Sequence, residues 1–221
     1  MSGWFLPRHI CCALIALLGM NVAVAGVIEV RVVGSDGQPV QNVAVFIKQA
    51  GVPSTAGETP EPVVMDQRDV RVVPHILIVE KGALVSFPNS DAVAHHVYSF
   101  SRPNNFVLPL YKGTPPAPVE FAHDGVVTLG CNIHDDMLGY IVVVDTPVFG
   151  LTDEHGSISL SVDDAASNYE INIWSPRIRD SNDPLVQSVS AIPADDVTFK
   201  LQKSLRPPHD GQSESVGWDE Y

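Results

Sequence analysis

Cys131-Asn132-Ile133-His134-Asp135-Asp136-Met137 places a thiol, an imidazole and a thioether at every third position of one short loop. The runs on either side, Val126 to Leu129 before it and Gly139 to Asp145 after it, are short and rich in β-branched residues. Both read as strands, so the loop joins two strands of a sheet. Donor atoms held in that way keep one geometry, which suits a site that changes charge without moving.

Another imidazole comes from upstream. Asn89-Ser90-Asp91 reads as a turn and His95 to Phe100 as the strand after it. His95 and His96 therefore stand side by side in a strand and face opposite ways. If His95 points inward, so does Val97, and His96 faces away. A thiolate, two imidazoles and a thioether form a soft donor set. A trigonal set of two His and one Cys with a weak axial Met suits copper passing between Cu(I) and Cu(II). Structural zinc takes four strong ligands, and Met is not usual among them. Taken singly, a C-x2-H is a common accident, a His-His pair is mostly surface, and a lone Met mostly fills a core. The combination, in this order and between these strands, carries the copper reading. His75, His123, His155 and His209 have no comparable context and read as surface or turn residues.

The rest of the chain is all-β. Gly26 to Val32 and Asn42 to Lys48 are strands around the turn Gly34-Ser35-Asp36-Gly37. Val63–Met65, Ile76–Glu80 and Ala83–Phe87 follow, with Lys81-Gly82 as a turn. Val119–Phe121 comes just before the strand that enters the copper loop. Ser157–Val162, Tyr169–Ser175 and Val197–Leu201 close the series. Residues 50–62 read as a linker rich in Gly, Pro, Thr and Glu, and Ser101 to Pro118 as a long Pro-rich connection. Residues 204–221 read as a disordered tail.

Composition narrows the function. The chain has 221 residues, 13 Lys plus Arg against 26 Asp plus Glu, and a net charge of −13, which excludes a basic nucleic-acid-binding face. Residues 1–25 read as an export signal: Arg8 precedes the apolar run Ile10 to Met20, and Ala23-Val24-Ala25 fits the cleavage pattern, leaving Gly26 first. The apolar run is too short to span a bilayer, so no membrane span is expected after cleavage. Cleavage removes Arg8 and no acid, moving the charge from −13 to −14. It also removes Cys11 and Cys12, leaving Cys131 without an internal disulfide partner in an oxidising compartment. The expected location is the periplasm.

The motifs resemble the cupredoxins, the small blue copper proteins, and within them the amicyanin branch with its short ligand loop. The likeness covers roughly Val63 to Asp145. It rests on Val79-Glu80-Lys81-Gly82 before Val85-x-Phe87, on Asn89 six residues before His95, and on Cys131-x2-His134-x2-Met137-x-Gly139-x-Ile141-x-Val143. The resemblance implies a Greek-key β-sandwich over residues 59–146, with one type 1 copper held by His95, Cys131, His134 and axial Met137. It also implies single-electron transfer with a c-type cytochrome, with a quinoprotein dehydrogenase as a second partner, in methylamine utilisation. The chain departs from the family where an Asn usually follows the first histidine and His96 stands instead. It departs again where Asn132 replaces the Thr or Ser after the cysteine, so a bond from His96 to Asn132 is one expected exchange. Asp135-Asp136 replaces apolar neighbours of the second histidine and would form an acidic docking rim.

The flanks resemble a different unit. Gly37-Gln38-Pro39-Val40-x-Asn42-Val43-x-Val45 is similar to the opening of carboxypeptidase-regulatory or transthyretin-like β-sandwiches. Thr152-Asp153-x-x-Gly156-x-Ile158-x-Leu160 and Tyr169-x-Ile171-x-Ile173-Trp174 resemble later strands of the same sandwich. A split domain of 26–58 plus 147–203, with the cupredoxin inserted, follows. Four protein ligands leave no position for substrate at the metal, so no enzyme is expected. The alternatives are a copper-delivery protein and a β-sandwich interaction module without electron-transfer duty.

Overall fold

The computed structural model describes residues 25–49, 61–113, 117–163, 166, 168–181 and 183–208. Residues 1–24 of the expected export signal, most of the linker at 50–62 and the tail beyond residue 208 lie outside the described residues. Within them every regular element is a strand and no helix occurs. No helix is therefore long and apolar enough to cross a membrane.

The strands are β1 (Ala25–Val33), β2 (Ala44–Gln49), β3 (Val63–Val64), β4 (Asp66–Arg68), β5 (Arg71–Val73), β6 (Ile76–Glu80), β7 (Ala83–Ser86), β8 (His95–Ser99) and β9 (Phe106–Tyr111). They continue with β10 (Val119–Phe121), β11 (Gly125–Leu129), β12 (Gly139–Val144), β13 (Phe149–Leu151), β14 (Ser157–Asp163), β15 (Tyr169–Trp174), β16 (Leu185–Val189) and β17 (Val197–Lys200). β1 lies between antiparallel β14 and parallel β17, and the second sheet runs β13-β2-β15-β16. Both ends of the described chain thus share two sheets. The middle of the chain pairs within itself, as β11-β12-β6, as β10-β7-β3, and as the hairpins β4-β5 and β8-β9.

Side-chain alternation explains how these sheets stack. On β2, Val45 and Ile47 enter a core shared with Ile28, Val30 and Ile171, while Ala44 and Phe46 enter another with Ile76, Val142 and Val144. On β12, Val142 and Val144 face that same seam, while Ile141 and Val143 face a third core with Phe87, Phe121 and Leu129. Four sheet layers therefore enclose three apolar cores. The two inner layers are covered on both faces, so β2 and β12 carry continuous apolar runs, while β15 alternates, with Glu170 exposed and Asn172 buried. Trp174 fills the seam between the two units and packs on Tyr140 with ring centroids 5.3 Å apart.

Five strands were not read from the sequence: β4, β5, β9, β13 and β16. Within the stretch read as a Pro-rich connection, residues 106–111 form β9. Pro109 lacks the amide a central strand needs, but β9 pairs only with β8 among the described residues, and the ladder is irregular there, between the pairs His95↔Tyr111 and Val97↔Leu108. The β4-β5 hairpin was also not expected, because Asp66, Gln67 and Arg68 carry no apolar alternation. Buried hydrogen bonds hold it: Gln67 Nε2 donates to Pro88 O at 3.1 Å and to Tyr111 Oη, which in turn donates to Phe87 O at 2.5 Å.

Two outcomes follow from this packing. Trp174→Ala should destabilise the protein by about 3–5 kcal/mol, measured by urea unfolding with far-UV circular dichroism, because it empties the seam between layers. Burial pushes the Tyr111 phenol up to about 12, against the hydrogen bond from Gln67. A raised folded-state pKa contributes stability below the ordinary value of 10.0 that is lost as pH rises through about 12. Tyr111→Phe should remove one ultraviolet phenolate step near pH 12 and cost about 1–3 kcal/mol at neutral pH by leaving buried partners unpaired.

Candidate metal centre

The site forms where β8 meets the loop between β11 and β12. The main chains of Tyr98 and Gly130 bond each other in both directions, at 3.1 and 3.0 Å, so the residue before Cys131 is fixed to the strand that carries His95. Gly130 permits this approach: a Cβ there would lie 2.9 Å from Tyr98 Oη and 3.0 Å from its ring. After Cys131 the loop turns on itself, with Met137 N–H donating to His134 O at 3.1 Å and Leu138 N–H to Asp136 O at 2.9 Å.

His95, Cys131 and His134 come together, each offering one ligand atom, and these atoms all lie within 4.8 Å of one another. The His95 and His134 ring centroids are 5.0 Å apart at 64°. His95 is wholly enclosed at 0% exposure, Cys131 at 5% and Met137 at 1%, while His134 is partly open to solvent. Met137 packs in the same core as Cys131. The strand alternation turns His95 and Val97 inward and leaves His96 half-buried outside the cluster. Its Nδ1 has no hydrogen-bond partner, and among the described residues no bond joins it to Asn132.

The ring nitrogens Nδ1 of His95 and His134 are also buried without a hydrogen-bond partner. Buried nitrogens are normally satisfied, and leaving one bare costs about 1–3 kcal/mol. Two such nitrogens beside a buried thiol are the arrangement a metal completes. Together with the thioether of Met137 in the same core, the donors are soft and few, which fits copper.

Polar groups beneath the ligands hold the loop of residues 88–94. Asn89, the buried residue six before His95, donates to Val93 O and Tyr111 O, both at 2.9 Å. Ser90 Oγ donates to Asp66 Oδ2 at 2.8 Å. Asp91 Oδ2 lies 2.7 Å from His95 Nε2, with Oδ1 and Oδ2 also accepting the amides of Asp69 and Val70. Burial raises the Asp91 carboxyl, but the bonds from Val70, His95 and Asp69 and the charge of His95 outweigh it and hold it below the usual range. Sequence reasoning took Asp91 for a turn residue. Its position four before His95 was the available signal. The reading of His75 as a surface or turn residue also changes: it is half-buried, and its Nδ1 lies 3.1 Å from Leu138 O, bracing the end of the ligand loop. His123 and His155 are exposed, and His209 lies outside the described residues. Asp135 and Asp136 are exposed beside His134.

No protein-family profile matches the chain. No curated protein matches it either. Among solved structures, the chain is similar to the reduced Cu(I) form at pH 4 of an amicyanin variant, at 22% identity over 45% of this chain and 99% of that one, with a TM-score of 0.36. An oxidised amicyanin variant gives 21% identity, the same coverages and the same TM-score. A third, reduced variant gives 23% identity over the same shares with a TM-score of 0.35. Likenesses of this size add no weight to the site, whose case rests on the side chains above.

Proposed function

We propose that this protein is an exported type 1 copper electron carrier of the cupredoxin kind, working in the periplasm. The observation that carries the reading is the pair of buried, unpartnered Nδ1 atoms of His95 and His134 beside the Cys131 thiol. Cys131, His95, His134 and Met137 would hold the copper. Bound there, copper supplies a one-electron couple.

The chain's own residues favour that duty. Sheet strands on both sides of the loop, and the Tyr98–Gly130 pair, fix the donor atoms before any metal binds, so little rearrangement accompanies a change of valence. Enclosure of His95, Cys131 and Met137 keeps water from the donor set. His134 is the one of the four that reaches solvent, which makes its outer edge the exit for electrons. Asp135 and Asp136 flank that edge and would steer a basic redox partner such as a c-type cytochrome, with a quinoprotein dehydrogenase as a candidate donor. The outer sandwich would serve as a binding or packing module of the transthyretin-like kind, fused across the buried seam at Trp174.

Purified protein loaded with Cu(II) is expected to be intensely coloured by thiolate-to-copper charge transfer, with the colour absent in Cys131→Ser. A colourless copper adduct of the unaltered protein would sink the type 1 assignment and favour copper delivery. The docking role is checked by stopped-flow kinetics with a basic cytochrome c. Asp135→Asn combined with Asp136→Asn should lower the low-salt on-rate by roughly tenfold and flatten its salt dependence. An unchanged salt dependence defeats the docking rim.

A further inference from the structure

A cleft of about 610 Å³ opens at one end of the seam between the two units, a volume in the range of small-molecule sites. His75 and Ile76 at the start of β6, with Leu138 and Tyr140 around the start of β12, line one side. Arg177 and Arg179, which follow β15, and Arg206, which follows β17, line the other. No carboxylate lines the cleft, although the chain carries 26 acids against 13 bases.

The three guanidinium groups are not spent on ion pairs. Among the described residues none of them pairs with a carboxylate. Asp180, next to Arg179 in sequence, instead accepts the amides of Gln202 and Lys203, both at 3.1 Å. The backbone holds two of the arginines in place. Arg206 Nη1 donates to Pro176 O and Ile178 O, both at 2.8 Å. The Arg206 amide donates to Arg177 O at 2.8 Å, and Arg177 Nε donates back to Arg206 O at 3.1 Å. The Arg179 side chain is exposed and has no hydrogen-bond partner among the described residues.

Like charges gathered without an acid repel one another, and a cleft with low-dielectric walls focuses their field. An anion relieves that repulsion. A guanidinium carries five N–H donors in a planar fork that pairs two at a time with carboxylate or phosphate oxygens. Each of the three keeps N–H groups that no protein atom takes. The floor suits carbon better than water. Tyr140 packs on His75 and on Trp174, with ring centroids 5.4 and 5.3 Å apart, and Pro176, Pro207 and Pro208 stiffen the rim. Cations above an aromatic floor match an organic anion better than a bare inorganic ion.

We propose that this cleft binds a small organic oxyanion of two or three negative charges, a polycarboxylate or a phosphate ester, gripped by Arg177, Arg179 and Arg206 with its carbon frame against Tyr140. The site stands apart from the copper donors, and its occupancy does not depend on the electron-carrier reading.

The test is calorimetric titration of the full-length protein at low salt with propane-1,2,3-tricarboxylate in one arm and glycerol phosphate in the other. The arm that binds identifies the anionic group. Amide nitrogen–proton shifts should move at residues 175–179 and at Tyr140. Arg179→Gln, which removes no bond within the fold, should weaken binding by about three- to tenfold, and Arg177→Gln combined with Arg179→Gln by more than about tenfold. Lys200→Gln, which removes an exposed charge on β17, should leave it unchanged. The proposal is overturned if neither probe binds, or if Lys200→Gln weakens binding as much as Arg179→Gln does, which would make the attraction a diffuse one. Inorganic phosphate binding as tightly as either probe would remove the part of the aromatic floor. Binding of a tetraglutamate peptide alone would assign the cleft to an acidic protein segment instead.

Discussion

The paired main-chain bonds between Tyr98 and Gly130 are the constraint on which the site depends. Tyr98 lies three residues after His95 and Gly130 one before Cys131, so this one bridge sets the distance between donors that are far apart in sequence. A side chain at residue 130 would meet the Tyr98 ring, which would have to move aside. Everything on the loop after it, including His134 and Met137, inherits its position from that point through the short turn bonds at His134 and Asp136.

What keeps the bridge in place is the double burial of β12. Strand β12 leaves the ligand loop directly, pairs with β11 and β6, and is covered on one face by the core beneath the site and on the other by the seam to the outer sandwich. A strand packed on both faces has no soft side to yield, since interiors are close-packed and respond to small displacements. The outer sandwich therefore has a mechanical part in the site. Its Trp174, Phe46 and Ala44 cover the back of the sheet that carries the loop.

Much of this was legible in the sequence, and the remainder was hidden for identifiable reasons. The continuous apolar run Ile141 to Val144 and the alternation of Tyr169, Ile171 and Ile173 announced buried sheet. The donor loop announced its chemistry because soft side chains at close spacing have few other uses. Strand alternation showed only that His95 and His96 face opposite ways; the resemblance, through Asn89 six residues earlier, pointed to His95, and His95 is the buried one. The β4-β5 hairpin was not legible, because Asp66 and Gln67 are held by hydrogen bonds to Pro88, Ser90 and Tyr111, which are distant in sequence. Strand β9 was masked by Pro109, which is harmless only at an irregular edge. Asp91 and His75 share one cause. A lone acid in a turn and a lone histidine have no pattern of their own, and their partners, His95 Nε2 and Leu138 O, appear only after folding.

The same geometry that prepares the site makes it unstable without a ligand. His95 and His134 each bury a bare nitrogen, and a buried polar atom without a partner costs about 1–3 kcal/mol. The fold carries this penalty because β8 is pinned on both sides, by Asp91 and the Tyr98–Gly130 bridge, and cannot swing the His95 ring out to water. A looser loop would satisfy its nitrogens with solvent and would then have to be reorganised at each change of charge. Rigid enclosure instead places the unfavourable energy in the metal-free state, where binding relieves it, so a metal held by these nitrogens stabilises the fold as it completes the site. The features that read as defects in the hydrogen-bond pattern are thus the ones that make a fixed, low-reorganisation donor set.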